Sequence, residues 1–111
     1  MWLPAAQAAL AKKATDLKVL DLRDVTSFTD FFLICTGANP RQIRAIAEEI
    51  VLELKQIGER AVGTEGMSSE DWVLLDYGNF VIHVFSEKAR RYYDLERLWR
   101  HASVVDVSDL S

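Results

Sequence analysis

Apolar side chains return along this chain in two different periods, and the alternation between them sets out the expected fold. Leu3, Ala6, Leu10, Ala14 and Leu17 recur at helical spacing while Lys12, Lys13 and Asp16 fall elsewhere. This predicts an alanine-rich amphipathic helix over about residues 4–16, with Pro4 in the first turn, where its missing N–H is harmless. Residues 18–22 read as a short strand. Residues 31–36, Phe-Phe-Leu-Ile-Cys-Thr, read as a stronger one, because unbroken apolar character suits a strand buried on both faces. Asn39-Pro40 then offers a helix start, an N-cap side chain followed by a proline at the first helical position. Ile43, Ile46, Ala47, Ile50, Leu54 and Ile57 keep one helical face, and Gly58 closes it.

Residues 59–71 carry Gly63, Gly66, Ser68 and Ser69, which predicts a short edge strand near 61–64 and then a loop. Two strand-like runs follow, 72–77 and 80–85, joined by Gly78-Asn79, a two-residue connection of the kind that closes a hairpin. Tyr92, Leu95, Leu98, Trp99 and Ala102 share the spacing of a C-terminal helix with Arg97 and Arg100 on its outer side, and residues 104–107 add a last extended piece. Helices and strands alternate without a repeat or linker. The expected fold is therefore a single α/β domain (α+β-like) spanning 1–111, with one mixed sheet of about five strands flanked by helices.

The hairpin is the informative segment. With Gly78-Asn79 as its loop, Tyr77 pairs with Phe80, Leu75 with Ile82 and Val73 with Val84 on one face, which is core. The opposite face carries Trp72 against Phe85, Leu74 against His83, and Asp76 against Val81. A permanently covered face rarely includes an unpaired carboxylate, and a solvated face rarely carries Trp, Leu, Val and Phe together. That mixture fits a protein interface with aromatic anchors and polar groups that set register. Burying Trp72 and Phe85 against a partner would supply roughly 3 to 6 kcal/mol before association entropy. The alternative is that this face packs on a helix, with Asp76 at its wet edge and His83 satisfied by a hydrogen bond.

Composition narrows the function classes. The chain has 111 residues and a formal net charge of −4, which disfavours general nucleic-acid binding through phosphate neutralisation. The single cysteine, Cys35, sits within the apolar run and is expected to be a buried structural thiol. No apolar run is long enough to span a bilayer, and the N-terminus lacks the basic segment of a secretory signal, so a cytoplasmic location is expected and no membrane partner. Neither end is expected to add a further function.

Catalytic motifs are missing from the sequence. His83 and His101 stand at no metal-ligand spacing from each other, from Cys35 or from paired carboxylates. There is no Gly-x-Ser-x-Gly elbow, phosphate-binding loop or dinucleotide fingerprint. Asp21, Asp24 and Asp30 are a poor magnesium site, because the first two point to opposite faces of an extended strand. These features point away from an enzyme and from any metal or cofactor. The segment 88–93, Lys-Ala-Arg-Arg-Tyr-Tyr, is the best RNA-contact candidate, although Glu87, Asp94 and Glu96 flank it and favour a solvated helix face.

Several segments carry a family resemblance. Lys13-Ala14 with Val19-Leu20-Asp21, Thr29-Asp30-Phe31-Phe32, Ile34-Cys35-Thr36-Gly37, Arg41-Gln42, Ala45-Ile46-Ala47 and Glu65-Gly66 come first. They are followed by Trp72-Val73-Leu74-Leu75-Asp76-Tyr77-Gly78, His83-Val84-Phe85 and Tyr93-Asp94-Leu95-Glu96-Arg97-Leu98-Trp99. In this order the chain resembles the ribosomal silencing factor (Iojap/RsfS) family from about Lys13 to Trp99. The resemblance implies a nucleotidyltransferase-like shape without that active site, and a partner, large-subunit ribosomal protein fourteen at the intersubunit face. Occupying that face would block joining of the subunits and so repress translation. It further implies Trp72, Leu74, Asp76, Tyr77 and His83 as contact or contact-supporting residues, with Glu65 and Gly66 shaping the neighbouring loop. Phe85 joins them from the hairpin pattern. Family members are often homodimers, so self-association is an expectation too. The competing readings are an RNA-binding ribosome-assembly module and a degenerate nucleotidyltransferase.

Overall fold

Why the chain doubles back at its start is visible in one side chain. In the computed structural model, which describes residues 1–110, helix α1 (Leu3–Ala11) stops well short of the expected residue 16. Gln42 donates from its side-chain amide to the carbonyl oxygens of Lys12 and Lys13 at 3.1 and 3.0 Å, taking acceptors a longer helix would use internally. Lys13 and Asp16 adopt left-handed conformations, φ 65° and 49°, and strand β1 (Thr15–Asp21) begins at once. The β1 register against its neighbour shifts between Thr15 and Lys18. Ala14 and Leu17 thus keep helical spacing by coincidence and lie outside the helix.

The remaining elements are β2 (Phe31–Gly37), α2 (Pro40–Gln56), β3 (Gly63–Glu65), β4 (Trp72–Asp76), β5 (Phe80–Ser86), the short helices α3 (Glu87–Tyr93) and α4 (Leu95–Leu98), β6 (Ser103–Val105) and a 3-10 turn (Ser108–Leu110). Asn39 caps α2 as expected, its side chain accepting from the Gln42 backbone N–H at 2.8 Å. Six strands, rather than about five, form one mixed sheet in the order β3-β4-β5-β2-β1-β6. The β2–β5 pair at its centre is parallel and the other pairs are antiparallel. Strand β2 lies next to the middle and is almost wholly buried, as its apolar run predicts.

The two faces of the sheet are covered unequally. Val19, Leu33, Cys35, Val73, Leu75, Ile82 and Val84 point to the α1–α2 side, where the alanines of α1 let the helices approach and Ile43, Ile46, Ile50 and Leu54 fill the space. Leu20, Phe32, Ile34, Val81 and Phe85 point the other way, beneath Ala89 of α3 and the partly buried Leu95, Trp99 and Ala102. This second cover is small. The single C-terminal helix expected from spacing is broken: Asp94 takes a left-handed conformation, φ 49° and ψ 55°, and divides α3 from α4. The break leaves Tyr92 80% and Leu98 66% exposed, so these two do not share the packed face. Aspartate accepts such a turn more readily than most residues.

Candidate functional site

The hairpin forms with the pairing that a two-residue Gly78-Asn79 loop requires: Trp72 opposite Phe85, Leu74 opposite His83, Asp76 opposite Val81. Gly78 supplies the positive φ of 83° at the turn. The side chains on this second face, however, meet very different fates. Because β5 is sandwiched between β4 and β2 and runs straight into α3, Phe85 and His83 are 1% and 3% exposed. They offer no contact area, which corrects the expectation that Phe85 is a surface anchor. Tyr77 is buried as its pairing predicts and stacks on Phe80 at 5.1 Å. Asp76 is not an unpaired carboxylate awaiting a partner. It accepts the Gly78 N–H at 2.8 Å and caps its own hairpin turn.

Trp72 and Leu74 remain half-buried on β4, at the edge of the second core cluster. Together with Glu65, Gly66, Ser69, Asp71 and Tyr93 they line an open cleft of about 410 Å³. Four of the eight residues expected from sequence therefore converge on one surface: Glu65, Gly66, Trp72 and Leu74. Asp76 lies farther along the strand, and Tyr77, His83 and Phe85 lie beneath.

The loop before β4 is shaped around Trp72. Gly66 holds φ 75°, and a Cβ there would be driven into the Trp72 carbonyl oxygen. Ser69 accepts from the backbone N–H groups of Asp71 and Trp72 at 3.1 and 3.2 Å. Asp71 accepts from the Ser86 hydroxyl at 2.8 Å, and Ser86 in turn accepts from Ala89 N–H as the N-cap of α3. The loop, the tryptophan and the helix carrying Tyr93 are thereby tied into one unit.

The Trp72 ring is held from three sides. Its centroid lies 4.6 Å from Tyr93, 4.9 Å from Phe85 and 5.9 Å from His83. Its indole N–H donates to His83 Nδ1 at 3.1 Å. Burial lowers the His83 pKa from 6.5 to about 4, so the ring is neutral near pH 7. Tyr93, 48% exposed, closes the cleft from the α3 side. Sequence reasoning read Tyr93 with the cations beside it and so missed this role, along with those of Ser69 and Asp71. Only the adjacent aromatic pair Tyr92-Tyr93 hinted at it.

Both neighbouring arginines are already engaged. Arg90, with a side chain only 10% exposed, pairs with Glu96 at 3.1 Å and donates to the Thr36 hydroxyl at 2.8 Å. Lys18 also pairs with Glu96, and Arg91 with Glu87, each at 3.3 Å. The guanidinium beside it, and after it the Lys18 ammonium, hold the Glu96 carboxyl below its usual range against the effect of burial. The segment 88–93 is thus a mostly exposed helix whose two arginines pair with flanking acids, as the solvated-face reading expects. Asp21 is bound by Arg23 at 2.6 Å and held down to a pKa of about 2. Among the described residues no cluster of three or more His, Cys, Asp or Glu is arranged to hold a metal. Cys35 is fully buried, and burial pushes its thiol up to about 12. Among the described residues no helix is long and apolar enough to cross a membrane.

Comparison with known proteins gives a consistent picture. Residues 1–111 match the family described as ribosomal silencing factor during starvation. The ribosomal silencing factor of Bacillus subtilis is 40% identical over 103 residues, covering 93% of this chain and 87% of the relative. A mouse protein named for mitochondrial assembly of the ribosomal large subunit is 32% identical over 98 residues, 86% of this chain and 43% of the relative. A crystal structure of a Chromobacterium violaceum protein superposes with a TM-score of 0.85 at 38% identity, covering 87% of this chain and 81% of that one.

Proposed function

This chain belongs to the ribosomal silencing factor family, and on that premise we propose that it docks on ribosomal protein fourteen of the large subunit through the Trp72–Leu74–Tyr93 cleft. Seated there it keeps the small subunit from joining, and translation falls. The action is steric, with no bond made or broken, and it takes place wherever the ribosome is, the cytoplasm for a bacterial host.

One observation carries this reading. The chain's own helices cover most of the second sheet face but leave Trp72 and Leu74 half-open at the sheet margin, next to an exposed Tyr93. Finishing the burial of these three side chains would contribute on the order of 2 to 5 kcal/mol before association entropy. That is enough for aromatic anchors to dominate an interface. The polar rim of Glu65, Ser69 and Asp71 suits a partner with basic or amide donors. The same apolar cleft would accept a second copy in solution, so self-association and docking would compete for it.

Co-sedimentation with isolated large subunits tests the reading. Wild type should pellet with the subunits, while Trp72→Ala and Leu74→Arg should remain in the supernatant with unchanged far-ultraviolet circular dichroism. Both variants pelleting like wild type would reject it.

A further inference from the structure

A buried histidine with one nitrogen unsatisfied is a poor choice for stability, yet His83 sits in that state. An indole nitrogen can only donate, so the 3.1 Å bond from Trp72 Nε1 requires His83 Nδ1 to be the unprotonated nitrogen. The imidazole proton is therefore on Nε2. That atom is buried and has no hydrogen-bond partner among the described residues. An orphaned donor of this kind is destabilising.

The surroundings explain how the ring stays neutral. Phe32 meets it edge-on at 4.6 Å from β2, Phe85 stacks parallel at 5.9 Å on β5, and Trp72 covers it from β4. On the helical side the Tyr93 phenol stands against Trp72 and Phe85, and Arg90 is committed to Glu96 and Thr36. No charge contributes to the state of the imidazole; burial alone does. An apolar residue here would leave no buried imidazole N–H unsatisfied, and the donor it would strand instead, the Trp72 indole N–H, belongs to a side chain that is only partly buried.

We propose that His83 is a positioning residue, whose bare Nδ1 locks the half-exposed Trp72 indole in the orientation a partner recognises, at the expense of fold stability. The proposal rests on the docking role given to Trp72 above. Phe85 and Tyr93 confine the indole between two rings but leave it free to slide or flip. The hydrogen bond removes that freedom, so the anchor is preorganised before contact. His83 thereby acts on the partner without touching it. Because the imidazole is neutral near pH 7, the lock is constitutive, and acid serves as a probe of it, not a physiological signal.

Three variants decide the matter. His83→Leu keeps the approximate volume, removes the buried Nε2–H orphan, and leaves the partly buried Trp72 N–H to water in the open cleft. It should melt at or above the wild-type temperature yet bind isolated large subunits about tenfold more weakly. Its Trp72 indole N–H, assigned by nuclear magnetic resonance with the help of Trp72→Phe, should shift to the position of a solvent-exposed indole. His83→Asn places an amide oxygen near the Nδ1 position and should restore affinity to within about threefold of wild type. A merely structural histidine predicts the reverse pattern, with stability and binding falling together. Wild-type affinity in His83→Leu, with Trp72→Ala defective, would overturn the positioning role. So would His83→Asn binding no better than His83→Leu. If Trp72→Ala itself bound normally, the docking reading would be what failed, because the indole resonance reports the lock with no ribosome present.

Discussion

The Trp72 and Tyr93 rings meet at 4.6 Å, joining strand β4 to the last turn of α3 across the mouth of the cleft. Neither residue is sealed by the contact: Trp72 stays half-buried and Tyr93 half-exposed. The two rings therefore form one surface feature built from opposite ends of the chain segment 72–93. Tyr93→Ala should leave the fold intact, costing about 1 kcal/mol, while weakening large-subunit binding about tenfold. Thermal melts together with sedimentation binding would check this, and a loss of stability without a loss of affinity would assign the ring to the core.

Gly66 is where the cleft should be most sensitive to a single methyl group. Gly66→Ala combines the strain of φ 75° with a Cβ aimed at the Trp72 carbonyl, and should destabilise by about 2 to 3 kcal/mol. Gly58, also left-handed at φ 85°, faces open space, so Gly58→Ala should cost only about 1 kcal/mol and leave binding unchanged. Urea denaturation of the pair measures the difference. Equal effects would mean that the approach to Trp72 is not the constraint.

The stability profile with pH should carry the mark of His83. Its folded pKa, about 4, lies below the unfolded value of 6.5, so between those values the unfolded chain binds more protons. Stability contributed by the neutral ring is present above pH 6.5 and is lost as pH falls through that window to about 4. The loss should be on the order of 3 kcal/mol. Other acids titrate in the same range, so the difference between wild type and His83→Leu isolates it. That gap should widen on acidification, in favour of the leucine. Parallel profiles would show that the imidazole is not destabilised when charged.

The Arg90 network makes a separate point about RNA. Arg90→Ala removes two bonds to Glu96 and one to Thr36, but Glu96 keeps Lys18, so the expected loss is about 2 kcal/mol of stability. Arg91→Ala, an exposed helix pair, should cost under about 0.5 kcal/mol. Neither should alter retention on protein-free ribosomal RNA. The salt dependence of large-subunit binding should correspond to fewer than about two released counterions. A steep salt slope, or sensitivity to Arg91, would revive the RNA-binding reading.

How far the sequence spoke for itself differs between elements for identifiable reasons. The register of the 72–85 hairpin was readable because a two-residue loop leaves no freedom in pairing. Helix α2 was readable because Asn39-Pro40 and Gly58 mark its ends locally. The end of α1 was not, since it depends on Gln42, which is thirty residues away. The burial of Phe85 and His83 was hidden for a similar reason. A hairpin viewed alone shows two open faces, and only the parallel pairing of β5 with β2 and the placement of α3 close one of them. The break at Asp94 left no period to detect, because Tyr92, Leu95 and Trp99 fit a continuous helix equally well. Asp76 is instructive in the other direction: an aspartate two residues before a turn glycine is a local capping signal, and it was legible beside the interface role its polarity suggested.

The account stands or falls on what occupies the cleft. A photo-crosslinking amino acid at position 74, irradiated in the presence of isolated large subunits, would capture the neighbour directly, with the same group at exposed position 52 on α2 as the control face. The predicted result is an adduct between the position-74 chain and ribosomal protein fourteen, and no such adduct from position 52. Capture of ribosomal protein fourteen from position 52 alone, or of ribosomal RNA alone from position 74, would contradict it.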